Sequence, residues 1–181
     1  MPLVILDRDG VINEDSDAYV RSPAEWVPIP GSLEAIARLN HAGYRVVVAT
    51  NQSGIGRGLF GMAELDAMHQ KLHSSLARLG GQLDGIFFCP HGPDDACACR
   101  KPRPGLLREI ASRHGIDLAG VPAIGDSLRD LEAAMAVGAM PILVRTGKGR
   151  AAEARLPAHW GVVVFDDLAQ AAQALVAAAG R

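Results

Sequence analysis

The sequence predicts an α/β domain with a doubly wound, mostly parallel β-sheet, and three observations support this prediction. Short, continuously apolar runs recur along the chain, as in parallel strands that helices cover on both faces. Amphipathic stretches of helical length separate these runs, so each connection is long enough for a right-handed crossover. Polar and acidic residues directly follow several runs, at the edge where open α/β sheets bind their ligands.

Six strands and five helices are expected in alternation. The strands are the runs LVIL (3–6), RVVVAT (45–50), GIFFC (85–89), PAIG (122–125), PILV (141–144) and VVVF (162–165). The helices cover residues 32–43, 63–81, 104–115, 128–138 and 167–179, with Ser32 as the expected N-cap of the first. Residues 13–31 and 90–104 show neither pattern and are expected to be loops.

Length and composition favour one cytoplasmic domain covering residues 1–181, with no room for a large mobile cap domain. A net charge of -2 and the absence of a basic stripe argue against a nucleic-acid partner. No apolar run approaches the roughly 18 residues of a membrane-spanning helix. The opening MPLVILDRDG has too short an apolar run for a signal peptide. No long apolar stripe calls for a partner chain, so we expect a monomer.

An aspartate pair follows the first predicted strand. Asp7 and Asp9 lie two residues apart in extended chain, so both carboxylates are expected to face one crevice while Arg8 points elsewhere. Two adjacent carboxylates repel each other unless a cation intervenes, and Mg²⁺ prefers such oxygen ligands. One carboxylate can then act as a nucleophile and the other as a general acid and base. A solvated, idle acidic loop is the alternative.

Three further strand ends supply polar groups. Thr50 ends the second run in a turn that can bind a phosphate, although the same residues also make ordinary turns. Arg100 and Lys101 precede a helix, where cations oppose the helix dipole and are therefore expected to have a functional role. Asp126 directly follows the fourth run, where it can bind magnesium or cap the next helix. Asp130, four residues later, is expected to support Asp126 in the magnesium site.

All three cysteines lie within eleven residues, together with a histidine. Cys89, His91, Cys97 and Cys99 give the pattern Cys-x-His, five residues, Cys-x-Cys, which is typical of a closed structural Zn²⁺ site. A cluster of free thiols is the alternative. Because these ligands lie in a loop that leads directly into Arg100, zinc is expected to order that loop and its cations rather than take part in the reaction.

Two other histidines lie four residues apart on the third predicted helix. His69 and His73 lack the glutamate of the HExxH zinc motif. Leu65, Met68, Leu72, Leu76 and Leu79 form the apolar stripe of that helix, so both histidines are expected on its solvated flank.

The motifs DRDGVIN, VVVATNQSGIGRG, CPHG…CACRKPRPG, GDSLRD and LVRTGKG together resemble the haloacid-dehalogenase superfamily. More narrowly, the chain resembles the D-glycero-D-manno-heptose-1,7-bisphosphate 7-phosphatases and the similar histidinol-phosphate phosphatases. The motifs run from residue 4 to about residue 149. The resemblance implies a magnesium-dependent phosphatase that acts on a small phosphorylated sugar, on a haloacid-dehalogenase-like fold with a zinc-binding loop.

The resemblance also implies the roles of individual residues. Asp7 would be phosphorylated, and Asp9 would protonate the leaving oxygen and then activate water. Thr50 and Lys101 would stabilise the phosphoryl group. Magnesium would be held by Asp7, the backbone carbonyl of Asp9, and Asp126. The substrate-binding residues would be Asp15, Tyr19, Asn51, Gln52, Ser53, Arg57, Arg100 and Ser127, with the segment from Asp15 to Tyr19 closing over the sugar.

Substrate choice stays open between the two phosphatase groups. The short loop between His91 and Cys97 is nearer to the histidinol-phosphate group, and the stretch SDAY is one residue longer than the heptose pattern. Conversely, Arg57 and Lys148 could bind a second phosphate, which favours a heptose bisphosphate. A zinc-stabilised binding module with a relic active site is the alternative from another functional class.

Overall fold

In the computed structural model, which describes residues 1–180, the strands form one six-stranded, wholly parallel sheet. The strands are β1 (Leu3–Leu6), β2 (Arg45–Asn51), β3 (Gly85–Cys89), β4 (Pro122–Gly125), β5 (Met140–Val144) and β6 (Val163–Phe165). Their order in space is β3-β2-β1-β4-β5-β6. All six predicted strands are therefore confirmed, together with the doubly wound parallel architecture.

The helices alternate with the strands. They are α1 (Ser32–His41), α2 (Ser53–Gly56), α3 (Met62–Ala77), α4 (Gly105–His114), α5 (Leu128–Met135), α6 (Gly149–Glu153) and α7 (Leu168–Ala179). A short 3₁₀ helix also covers Ala158–Trp160. The five predicted helices are confirmed, whereas α2, α6 and the 3₁₀ helix are too short to show a helical period and were not predicted.

The sheet reverses its winding at β1. From β1 the chain adds β2 and β3 on one side, and it then returns to place β4, β5 and β6 on the other side. The backbone N–H of Asp7 donates to the carbonyl of Ile124 at 2.9 Å, so the residue after β1 is fixed against β4. Parallel sheets bind ligands in the crevice at such a reversal, outside the carboxyl ends of the strands.

Alternate side chains of the central strands pack on opposite faces of the sheet. Val4 and Leu6 of β1 belong to the core under α1, α3 and α7, whereas Leu3 and Ile5 belong to the core under α4 and α5. Both sets are buried, which explains why the strands are apolar at consecutive positions. Two covered faces hold the strand ends, and thus the crevice, in fixed positions.

The predicted loop at residues 13–31 is packed against the domain. Trp26 is fully buried in the core, and the Lys71 ammonium of α3 donates to the carbonyls of Pro23 and Trp26 at 2.6 and 2.8 Å. Ser32 is not the N-cap, because Gly31 takes that position and the Ser32 hydroxyl donates to the Ile12 carbonyl at 2.6 Å. In residues 1–180 no helix is both long and apolar enough to cross a membrane.

Candidate active site

A cavity of about 390 Å³ opens at the carboxyl edge of the sheet, at the winding reversal. Its lining brings together side chains from four strand ends and from two loops. The predicted site residues among them are Asp7, Asp9, Asp15, Tyr19, Asn51, Gln52, Ser53, Arg57, Arg100, Lys101, Asp126 and Ser127. Of the residues predicted for catalysis and substrate binding, the lining therefore includes every one except Thr50.

The Lys101 ammonium group lies at the floor of the cavity between two carboxylates. Its Nζ is 3.1 Å from Asp7 Oδ1 and 2.6 Å from Asp130 Oδ1, and it also donates to the Ala49 carbonyl at 2.7 Å. Burial alone would lower the pKa of Lys101, but Asp130 and Asp7 outweigh burial and raise it. Lys101 is therefore a permanent cation beside Asp7. Asp130 orients Lys101, and it also accepts hydrogen bonds from the backbone and hydroxyl of Ser127.

Asp7 and Asp126 form an electrostatically unfavourable pair of buried carboxyl groups. Burial and the charge of Asp130 raise the pKa of Asp7 well above its usual range, against the opposing effect of Lys101. Burial and Asp130 likewise raise the pKa of Asp126 to about 7. Ligand oxygens of all three aspartates lie within 4.8 Å of one another. Asp130 lies closer to Lys101 than Asp7 does, and its other oxygen accepts two hydrogen bonds from Ser127. Asp7 and Asp126 are therefore the pair that a divalent cation would stabilise, and a hard oxygen site suits magnesium.

Two glycines allow the Asp126 carboxylate to lie directly against backbone. Gly10 and Gly147 have φ angles of 82° and 57°, and a Cβ atom at either position would overlap the Asp126 carboxylate. The backbone N–H of Lys148 donates to Asp126 Oδ2 at 2.8 Å. Asp126 does not cap the following helix, since α5 has Ser127 at its N-cap position.

Asp9 is held by four side-chain donor groups. Its oxygens accept from Arg8 Nη2 at 2.9 and 3.2 Å, Arg8 Nε at 3.3 Å, Asn13 at 2.9 Å and Gln52 at 2.8 Å. Burial would raise the pKa of Asp9, but the Arg8 charge and these hydrogen bonds hold it below the usual range. Arg8 does not point elsewhere as expected from strand alternation, because its fully buried side chain folds back onto Asp9.

Thr50 lies behind the cavity and is completely buried. Its hydroxyl accepts a hydrogen bond from Gln52 Nε2 at 2.9 Å, and the same amide group donates to Asp9. The Asn51 amide instead pairs in both directions with the backbone N–H and C=O of Lys101 at 3.0 Å. In this structure Thr50 orients Gln52, while Asn51 fixes the end of the cysteine loop onto β2.

Three guanidinium groups line the outer part of the cavity. Arg57, Arg100 and Arg129 make no ion pair with any carboxylate of residues 1–180. Burial lowers the pKa of Arg100, and the charges of Arg129 and Arg57 lower it further. Arg100 Nη1 is buried without a hydrogen-bond partner in the described structure. The outer part of the cavity thus combines unneutralised positive charge with a free donor.

The loop at residues 15–19 forms one wall of the cavity. Asp15 Oδ2 lies 3.3 Å from the Lys148 ammonium nitrogen, and the Arg57 guanidinium lies 5.8 Å from the centre of the Tyr19 ring. Tyr19 has a φ angle of 66°, which a non-glycine residue adopts only where contacts hold it. The two residues expected at a second phosphate therefore also position this wall.

The four predicted zinc ligands come together beside the cavity. Sulfur–sulfur distances are 3.0 Å for Cys89–Cys99 and 3.8 Å for Cys89–Cys97, and His91 Nδ1 is 3.2 Å from Cys99 Sγ. A tetrahedral Zn²⁺ with bonds of about 2.3 Å to sulfur places its sulfur ligands roughly 3.8 Å apart. Burial and the neighbouring thiols raise the pKa of Cys89 to about 12, so a cation is needed to hold Cys89 as a thiolate. The residues fit zinc.

Sequence reasoning missed four contributors to the site, namely Arg8, Asn13, Arg129 and His69. The prediction that His69 lies on a solvated flank is wrong, because its Nε2 is 3.2 Å from Arg8 Nη1. Arg129 is the second residue of α5, a position that the sequence alone predicts to be exposed helix, although its side chain lines the cavity. Arg8 could have been recognised from its position between Asp7 and Asp9, because a cation between two buried acids is expected to be buried with them.

Comparison with known proteins identifies the family. A family model described as polynucleotide kinase 3 phosphatase matches residues 3–123, and one described as HAD-hydrolase-like matches residues 98–171. The chain is 60% identical over 176 residues to the D-glycero-β-D-manno-heptose-1,7-bisphosphate 7-phosphatase of Bordetella bronchiseptica, covering 97% of this chain and 98% of that protein. The chain belongs to this heptose-bisphosphate phosphatase family. It is accordingly a phosphoric monoester hydrolase with a haloacid-dehalogenase-like fold, and the relic-site alternative is wrong.

Other members of the heptose-bisphosphate phosphatase family agree with this assignment. The enzyme of the same name from Pseudomonas aeruginosa is 57% identical, with 96% of this chain and 97% of that protein covered. The crystal structure of the Bordetella bronchiseptica D,D-heptose 1,7-bisphosphate phosphatase, complexed with magnesium and phosphate, superimposes with a TM-score of 0.95 at 59% identity. It covers 98% of this chain and 99% of that one. Magnesium is therefore a metal of this family's site.

Proposed function

We propose that this protein removes the 7-phosphate of D-glycero-D-manno-heptose 1,7-bisphosphate through a phosphorylated Asp7, in the synthesis of heptose precursors of lipopolysaccharide. The observation that carries the proposal is a difference in burial, since Lys101 and Asp126 of the cavity lining are buried whereas Arg57 and Arg129 are exposed. Asp7, Asp126 and Lys101 lie at the inner end, where a phosphoryl group can be transferred. Unpaired guanidinium groups lie at the outer end, where a second anionic group can bind.

The first step is the attack of an Asp7 carboxylate oxygen on phosphorus while the bond from phosphorus to the sugar oxygen breaks. Lys101, 3.1 Å from Asp7, offsets the charge that collects on the phosphoryl oxygens. The N–H of Arg8 donates to Asp7 Oδ1 at 2.8 Å and fixes the direction of the nucleophile. Magnesium, held by Asp7, the Asp9 carbonyl and Asp126, would neutralise further phosphoryl charge.

Asp9 handles the proton in both steps. In the first step it gives a proton to the departing sugar oxygen, and in the second it accepts one from the water that attacks the phosphorylated Asp7. In the free protein its surroundings favour the carboxylate, the form needed as a base. A phosphate dianion bound beside Asp9 adds negative charge and favours the protonated form needed as an acid.

Several further properties are part of this proposal. Cys89, His91, Cys97 and Cys99 would bind a structural Zn²⁺ that orders the loop leading into Arg100 and Lys101. We also propose that residues 1–181 form one domain, which acts as a cytoplasmic monomer on a small phosphorylated sugar and not on nucleic acid. The net charge of -2 supports the last point, because polynucleotide binding relies on a cationic surface.

Phosphate release in the presence of magnesium tests the substrate. We expect heptose 1,7-bisphosphate to be hydrolysed far faster than histidinol phosphate or a heptose 7-monophosphate. Preference for histidinol phosphate would leave the proposed role of Asp7 intact and would contradict the proposed substrate.

The variant Arg100→Ala tests the outer end of the cavity. We expect KM for the bisphosphate to rise about tenfold, the size of a charge-assisted hydrogen bond, with little change for the monophosphate. Arg108→Ala is the matched control, because Arg108 is exposed on α4 outside the cavity. Equal losses on both substrates would show that Arg100 does not recognise a second phosphate.

A further inference from the structure

Arg8 is a fully buried guanidinium with two different kinds of partner. Its Nε and Nη2 atoms donate to Asp9, and its remaining nitrogen, Nη1, lies 3.2 Å from Nε2 of His69. A buried arginine whose donors are unequally satisfied would be costly and mobile. His69 of α3 supplies an acceptor for Nη1, so each of the three guanidinium nitrogens has a hydrogen-bond partner.

The histidine must be neutral, with its hydrogen on Nδ1. A guanidinium group can only donate, so Nε2 has to present its lone pair to Arg8. Burial and the charges of Arg8 and His73 lower the pKa of His69 to about 4, which agrees with that requirement. The His69 ring also packs at a tilt against the Phe88 ring, with 6.4 Å between the ring centroids.

We infer that His69 and Arg8 are positioning residues that hold the Asp9 carboxylate in the orientation needed for proton transfer. The inference rests on the proposed role of Asp9 as general acid and base. Asp9 lines the cavity, whereas Arg8 and His69 do not, so neither can touch the substrate. They act through Asp9: His69 fixes Nη1 of Arg8, and Arg8 then presents Nε and Nη2 to the two carboxylate oxygens.

This arrangement has a consequence that depends on the leaving group, and it is therefore seen in the first step. As the bond from phosphorus to the leaving oxygen breaks and the bond to Asp7 forms, the Asp9 proton moves to that oxygen. A sugar alkoxide needs this proton, whereas p-nitrophenolate is stable enough to leave without it. Misplacing Asp9 should therefore slow the first turnover of a sugar phosphate and spare that of p-nitrophenyl phosphate. A histidine that only packs α3 would affect both equally.

The experiment compares His69→Leu and His69→Met, which lack the acceptor, with His69→Gln, which keeps one. His73→Leu is the control, because His73 is exposed one turn further along the same helix. For either apolar variant we expect kcat on the heptose bisphosphate to fall about tenfold with KM unchanged, a fraction of what general acid catalysis supplies. The burst of p-nitrophenol should stay within about twofold of wild type, and His69→Gln should restore most of the loss.

Asp9→Asn, measured in parallel, separates the two claims. If Asp9→Asn slows the sugar substrate more than the p-nitrophenol burst while the His69 variants slow neither, or both equally, the positioning role is overturned and the role of Asp9 survives. If Asp9→Asn shows no such selectivity, Asp9 is not the acid and both claims fail. Thermal melting shows which variants are folded. If only one of His69→Leu and His69→Met is folded, that variant is used for the comparison.

Discussion

The crevice and the cysteine loop, residues 89–104, each bring together side chains that could hold a metal ion, but they are built in opposite ways. Asp7 and Asp126 directly follow strands in the centre of the sheet, so packing on both faces fixes them whether or not a cation is bound. Three of the four cysteine-loop ligands lie in residues 90–104, which contain no helix or strand. The first region should therefore need its metal for chemistry, and the second should need its metal for structure.

Asn51 and Lys101 join the two regions. The Asn51 side chain pairs with the backbone of Lys101, whose ammonium group then reaches Asp7. Disorder in the loop would release both Arg100 and Lys101 from the cavity. The comparison thus predicts that changes in the crevice mainly affect activity and changes in the loop mainly affect stability. Changes in the loop should lower activity only through Arg100 and Lys101.

The largest expected effect is on the crevice. Asp7→Asn should lower turnover by on the order of 10⁵-fold, because it removes the covalent nucleophile. The melting temperature in magnesium-free buffer should stay the same or rise, since Asp7 is a buried carboxylate among like charges. Phosphate-release assays and thermal melting check the two parts. Appreciable residual turnover would mean that another group is the nucleophile.

An intermediate effect is expected for the loop. Cys97→Ser should lose bound zinc and about 2 kcal/mol of stability, a fall in melting temperature of roughly 4–8 °C for a chain of this size. Activity should fall less, through the displaced Arg100 and Lys101. Zinc content by elemental analysis, together with melting, makes the test. An active, fully stable and zinc-free variant would contradict the structural role.

The smallest effect concerns pH in magnesium-free protein. The folded pKa of Asp126, about 7, lies above the unfolded value near 4, so the folded state binds this proton more tightly. The free energy of unfolding should therefore fall as pH rises from about 4 through about 7. Asp126→Asn should flatten part of this slope, whereas Asp66→Asn, at an exposed carboxylate of α3, should not. Urea unfolding at several pH values measures how the free energy of unfolding depends on pH. An unchanged slope in Asp126→Asn would show that Asp126 is not the group responsible.

Sequence predicted the fold well because each strand is a continuous apolar run, and it predicted the cavity because strand ends meet at one edge. It failed where a side chain's place depends on another element. The apolar stripe of α3 located the core correctly at Leu65 but could not show that Arg8 reaches His69. Likewise, the run ending at Thr50 did not show that Gln52 would occupy its hydroxyl. Leu79, assigned to the stripe, is 42% exposed because α3 ends before it.

The central claim is that the phosphoryl group passes through Asp7 in the crevice, while Cys89, His91, Cys97 and Cys99 take no part in the chemistry. The direct test is acid quenching of the Asp9→Asn variant during turnover of heptose bisphosphate labelled at the 7-phosphate, followed by peptide mapping. We predict label on the peptide that contains Asp7, because hydrolysis of the phosphorylated Asp7 has no other base in this variant and becomes slower than the also weakened first step. Release of labelled phosphate with no labelled peptide, or label on a residue other than Asp7, would contradict the account.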